Sequence, residues 1–287
     1  MIDTILFPTD GSDGALAALD HVLDIAATHD ATVHVLNVAD TAHYSYVQTQ
    51  GEILDVLVEE GEHVVRDAAD EARARNVSTI TDVRQGIPHE IINEYATSED
   101  VDLVVMPTQG RTGLERFLIG STTERVVRGA DVPVLTFRPT DVDLGYPYRN
   151  VLVPTDGSES ASGALELGCD FVTSTGTNLH ILTVISSESL GIDVRSDVQM
   201  RPMEERAANI LENATSVASE RGVKSVTEAV EYGVSIRKTI RSYVETHEID
   251  LVAVGTHGRT GVDRYILGSV TEYLIRTSPV PVLTVRV

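Results

Sequence analysis

The sequence predicts an α/β protein made of two tandem domains, each with a mainly parallel sheet covered by helices. Three observations carry this. Ile5-Leu6-Phe7-Pro8-Thr9-Asp10-Gly11-Ser12 returns as Val151-Leu152-Val153-Pro154-Thr155-Asp156-Gly157-Ser158, and Val132-Pro133-Val134-Leu135-Thr136 returns as Val280-Pro281-Val282-Leu283-Thr284. The offset grows from 146 to 148, so two residues are inserted between Val184 and Gly258. A repeat of that length is a domain, whereas solenoid units run to roughly 20–50 residues. Within each copy, short apolar runs alternate with longer helical patterns, the signature of β-α-β units. Finally, 287 residues is a natural length for two domains that each bury a core.

Taken in order, the first copy offers strands at Ile2 to Phe7, Thr32 to Val38, Val77 to Val83, Leu103 to Met106 and Val132 to Phe137. Their Val, Ile and Leu content suits strands covered on both faces. Helices are expected at about Asp13 to Thr28, Pro88 to Thr97 and Ser121 to Gly129, with counterparts in the second copy. Ile53, Leu57, Gly61, Val64, Ala68 and Ala72 recur at steps of three and four, and so share one face of a further helix. Met203, Ala207, Ile210, Ala214 and Val217 do the same in the second copy, and both stripes are assigned to core packing. Domains are placed at 1–140 and 147–287, with the joint near Pro139 to Tyr148, where periodicity lapses and prolines punctuate.

Composition excludes several classes. No apolar run approaches the roughly 20 residues that span a bilayer, and the chain starts directly in a strand pattern, so a cytoplasmic protein is expected. A net charge of −22 argues against nucleic acid and anionic membranes as partners. Only Lys224 and Lys238 are lysines among 22 basic residues, against 44 acidic ones, which fits the acidic surface of a halophilic protein working in concentrated salt. Cys169 has no partner for a disulfide and reads as a small buried side chain.

The chemistry-bearing motif is a glycine loop written twice. Gly110 to Thr123 and Gly258 to Thr271 share eight identities in fourteen positions. Glycine lets backbone N–H groups turn toward an anion without an obstructing Cβ. Just beyond, Gly120-Ser121-Thr122-Thr123 and Gly268-Ser269-Val270-Thr271 open helices whose unsatisfied N–H groups favour negative charge. Ser269 and Thr271 can donate hydroxyl hydrogen bonds to the same oxygens, and Arg259 can neutralise charge or point to solvent; the plainer alternative is that the glycines shape a turn and Ser269 caps the helix. The loop is not of Walker type, since no Gly-Lys-Ser/Thr follows. In an open parallel sheet these loops reach the carboxyl ends of the strands, where Asp10 and Asp156 also lie. Either aspartate can accept from ribose hydroxyls or a base amino group, or help to cap the following helix. Val38 and Val184 suit the apolar side of a base pocket, and equally the core.

The Pro-Thr-Asp-Gly-Ser start, the Gly-x-x-Gly-x9-Gly-Ser/Thr motif and the Val-Pro-Val-Leu-Thr ending resemble the universal stress protein family over both halves. The resemblance implies, for each domain, an α/β/α sandwich on a five-stranded parallel sheet, of the Rossmann-like adenine nucleotide α-hydrolase type. It also implies paired domains, satisfied internally or in a homodimer. It implies ATP with a divalent cation, Mg or Mn, on the phosphates, and slow hydrolysis at most. The implied nucleotide contacts are Thr155, Asp156, Val184, Val254, Gly255, Gly258, Gly268, Ser269, Val270 and Thr271. In the first copy they are Thr9, Asp10, Val38, Met106, Gly110, Gly120, Ser121, Thr122 and Thr123. There Pro107 replaces the motif's first glycine and removes a backbone donor, so the second site is expected to bind better.

The leading expectation is a stress-response protein in which bound adenine nucleotide alters the surface offered to a protein partner. An ATP-using enzyme, such as a nucleotidyl transferase or an α-β phosphate hydrolase, and a nucleotide-free interaction module are the alternatives. No His, Asp and Ser set has a spacing that identifies an acid-base site.

Overall fold

The computed structural model describes residues 2–40, 50–109, 119–138, 144–186, 197–256 and 267–286, with the side chains of 50–55, 174 and 197–199 also set aside. The chain divides into two compact units, Met1–Tyr146 and Pro147–Val287. The first runs β1 (Thr4–Pro8), α1 (Asp13–His29), β2 (Thr32–Asp40), α2 (Gln50–Ala74), β3 (Thr79–Gly86), α3 (Pro88–Ser98), β4 (Leu103–Pro107), α4 (Ser121–Gly129) and β5 (Val134–Phe137). The second repeats the order as β6 (Asn150–Pro154), α5 (Glu159–Thr175), β7 (Asn178–Ser186), α6 (Asp197–Glu220), β8 (Val226–Gly233), α7 (Ile236–Thr246), β9 (Leu251–Gly255), α8 (Ser269–Thr277) and β10 (Val282–Val285).

Within the first unit the strands lie in the order β3-β2-β1-β4-β5, and within the second β8-β7-β6-β9-β10, every pair parallel. Each unit is thus the five-stranded α/β domain expected. The central strands are apolar throughout, as burial on both faces requires: Ile5, Leu6, Val104, Leu152 and Val252 are fully buried. Helices α1 and α2 pack on each other, as do α3 and α4, so each face of the sheet carries a helical layer. The chain leaves β1 in one direction toward β3 and returns to β4 on the other side. That reversal opens a crevice at the carboxyl ends of β1 and β4, and equally of β6 and β9.

Boundaries shift for identifiable reasons. Strand β3 starts at Thr79, not Val77, because Asn76 is left-handed at φ 59° and the Val77 N–H donates back to Ala72 O at 3.0 Å, closing α2. Likewise β5 starts after Pro133, which has no N–H for a ladder; its carbonyl accepts from Val104 N at 2.9 Å. The two inserted residues can now be placed. Asn76-Val77-Ser78-Thr79 corresponds to Gly222-Val223-Lys224-Ser225-Val226, and Gly86-Ile87-Pro88 to Gly233-Val234-Ser235-Ile236, so both insertions flank β8.

The helical stripes serve two purposes. Gly61, Ala68 and Ala72 are buried, and a Cβ on Gly61 would stand 2.5 Å from Asn37 Oδ1. In α6, Ala207 and Ala214 are buried, while Met203, Ile210 and Val217 are half-buried. Cys169 is fully buried in α5, and burial pushes its thiol up to about 11.

Candidate functional site

At the end of β6 the backbone is held before any ligand arrives. Thr155 N–H donates to Leu182 O at 2.8 Å, and the Thr183 hydroxyl donates to Thr155 O at 3.1 Å. Gly157, at φ 76°, turns the chain, which lets its N–H reach Thr155 Oγ1 at 3.2 Å. Asp156 Oδ1 accepts from Ser158 N–H at 3.0 Å, and Ser158 caps α5 by accepting from Ala161 N–H at 3.3 Å. Serine is therefore the cap, and the aspartate shapes the turn before it. Thr9, Asp10, Gly11 and Ser12 repeat this arrangement at the end of β1, with Asn37 Nδ2 donating to Thr9 O at 2.8 Å.

The opposite wall is the start of α8. Its N-cap is Gly268, which offers no side-chain cap, in contrast to Ser158 on α5. The Gly268 N–H is spent on Thr256 O at 2.7 Å, but among the described residues none of the amides of Ser269, Val270 and Thr271 has a hydrogen-bond acceptor. These are the N–H groups that a helix start presents to an anion. The first unit repeats the feature: Gly120 caps α4, its N–H bonds Thr108 O at 2.7 Å, and Ser121 to Thr123 open the helix.

One expectation needs correction. The Thr271 hydroxyl does not donate into the crevice, because it donates to Gly255 O at 2.7 Å; Thr123 does the same to Pro107 O at 2.9 Å. Each ties the helix start to the strand behind it. Gly255 also has a packing reason to be glycine, since an added Cβ would stand 2.5 Å from Ser160 O. In the first unit the residues at these two positions are Pro107 and Gly14.

Between these walls the second unit encloses a cavity of about 500 Å³, within the range of small-molecule sites. Thr155, Asp156, Val184, Val254, Gly255, Gly268, Ser269, Val270 and Thr271 all line it, as the sequence placed them together. Gly258 and Arg259, with Gly110 of the first loop, lie outside the described residues. In the first unit Thr9 and Met106 are buried, while Asp10 and Val38 are half-buried. Sequence reasoning missed the α6 wall: Met203, Arg206 and Ile210 line the cavity, joined by Ile236 at the start of α7. The signal was available in the half of the α6 stripe that lies beyond the buried alanines, which was assigned to core. Among the described residues no three His, Cys, Asp or Glu side chains gather to hold a metal ion.

Residues 1–138 and 147–286 each match the universal stress protein family. The chain belongs to that family, in a tandem two-domain form. A universal stress protein of Methanocaldococcus jannaschii is 38% identical over 137 residues, which cover 47% of this chain and 81% of the relative. The crystal structure of a universal stress protein from Archaeoglobus fulgidus aligns with a TM-score of 0.75 and 27% identity, covering 100% of this chain and 99% of that one. A functionally unknown protein from Pseudomonas aeruginosa, at 16% identity and a TM-score of 0.65 over 99% of this chain and 92% of its own, shares the fold. No described helix of this universal stress protein is long and apolar enough to cross a membrane.

Proposed function

We propose that this universal stress protein binds an adenine nucleotide, ATP with Mg or Mn, in the cleft of its second unit. The bound state then alters the surface offered to a protein partner in a cytoplasmic stress response. The observation that carries this is the uncapped start of α8 facing a cavity with an apolar side. Ser269, Val270 and Thr271 amides suit the phosphates, Asp156 at the end of β6 suits ribose hydroxyls, and Val184 with Ile210 suits the base. The divalent ion would rest mainly on the phosphates themselves, as Mg commonly does. The ligand is read as a regulator and not as a substrate: among the described lining residues the general-base candidate is Asp156, whose carboxylate already holds the Ser158 amide.

Ser269→Pro tests the cradle. Proline is tolerated at the first helical position, and Gly268 at φ −59°, ψ 141° already has the backbone that precedes a proline. Only the amide and hydroxyl donors are lost. Calorimetry should find ATP affinity reduced roughly tenfold in Ser269→Pro and less in Ser269→Ala, in line with a charge-assisted hydrogen bond. Nucleotide absent from gently purified protein, together with no heat on ATP titration, would remove the reading. Steady multiple-turnover release of ADP or AMP would replace it with an enzyme.

A further inference from the structure

The anion cradle is built twice with the same backbone, yet the two clefts differ in charge. Gly120 and Gly268 cap their helices at φ −59°, ψ 142° and φ −59°, ψ 141°, and each N–H donates to a threonine carbonyl at 2.7 Å. Backbone geometry therefore gives no reason for one to prefer an anion over the other. In the second cavity the charged side chains among the described lining residues are Asp156 and Arg206, which cancel formally.

The equivalent positions of the first unit can be assigned from structural register. Gly11 abuts Val64 as Gly157 abuts Ile210, which equates Arg206 on α6 with Glu60 on α2. Asp40 pairs with Gly86 as Ser186 pairs with Gly233, which equates the cavity residue Ser186 with Asp40. Positions that carry Asp156, Ser186 and Arg206 in the second unit thus carry Asp10, Asp40 and Glu60 in the first. A formally neutral set lines the second cavity, and the equivalent positions of the first unit carry three acids.

We infer that Arg206 is the specificity-determining residue for the phosphate chain, and that the acidic substitution at Asp40 and Glu60 closes the first cleft to polyanions. This inference rests on the nucleotide reading of the second cleft. Guanidinium binds phosphate oxygens through a planar fork of donors, and Arg206 is an exposed residue of the cavity wall. In a chain of net charge −22, a local cation is what allows a polyanion to approach. Like charges in the first cleft act oppositely on the same ligand.

The test is calorimetric titration of the full chain with ATP and with adenosine at one fixed ionic strength. The wild type should take up one equivalent of ATP. Arg206→Glu should lower ATP affinity roughly 10- to 100-fold and lower the ratio of ATP to adenosine affinity nearly as far. The reciprocal double variant Asp40→Ser/Glu60→Arg should gain a second ATP equivalent. Two equal ATP sites in the wild type, or an Arg206→Glu variant in which ATP and adenosine weaken alike, would overturn the inference and leave the nucleotide reading standing. A wild type that binds neither ligand would overturn both. Because Arg206 is exposed, thermal melts of the variant should match the wild type, which keeps loss of binding distinct from loss of fold.

Discussion

At the scale of single residues, glycine spacing was the most legible signal, and the duties of the individual glycines were the least. Gly255 reads from sequence as a position for close approach to phosphate; in the structure a Cβ added there would stand 2.5 Å from the Ser160 carbonyl oxygen. A backbone oxygen cannot rotate away as a side-chain end can. Gly255→Ala should therefore destabilise the second unit by about 1–3 kcal/mol, measurable as a lower urea midpoint without nucleotide. An unchanged midpoint would return Gly255 to a purely ligand-facing role. The same limit explains the threonines. Thr271 has the residue type of a phosphate donor, but a hydroxyl turns to the nearest acceptor, and only coordinates reveal that this is the carbonyl of Gly255, as it is Pro107 for Thr123.

At the scale of elements, the periodicity of apolar residues located strands and helices well, because buried parallel strands and amphipathic helices leave patterns several residues long. It failed where one residue decides, as at the left-handed Asn76 that moves the start of β3. It also could not say what the joint between domains does. Leu144 and Tyr146 dock on α1: the buried His21 ring donates through Nδ1 to Leu144 O at 3.1 Å, and His29 Nε2 meets the Tyr146 hydroxyl, whose burial pushes it up to about 12. Burial outweighs the Leu144 contact and lowers the His21 pKa from 6.5 to about 4. Between those values the unfolded chain binds more protons than the folded one, so stability rises with pH across the window. The contribution is complete above pH 6.5 and is lost as pH falls toward 4, on the order of 3 kcal/mol. In His21→Gln the unfolding free energy should vary less steeply with pH over that interval, by up to about one proton. Identical slopes in the two proteins would show that His21 is not the group responsible.

At the scale of the whole molecule, charge dominates. With 44 acidic and 22 basic residues, the folded chain concentrates repulsion that the expanded chain relaxes. Ion pairs offset little of it. Arg75 reaches Asp20 and Asp24, and Arg221 reaches Glu166 and Asp170 at 2.7 and 3.1 Å, but these lie at the surface, where such pairs contribute about 0–1 kcal/mol. Salt at molar strength cuts the screening length to about 3 Å. Circular dichroism melts should shift to higher temperature as salt is raised from millimolar to molar; full stability at low salt would rule out adaptation to brine. The duplication has a consequence of its own. Pro107 and Gly14 stand in the first half where Gly255 and Ser160 stand in the second, and there Gly255 lies against the Ser160 main chain. A chimera that carried the Pro107 strand into the second half would drive the proline ring against the main chain of Ser160, so exchange of this strand between the copies is penalised and their divergence is preserved.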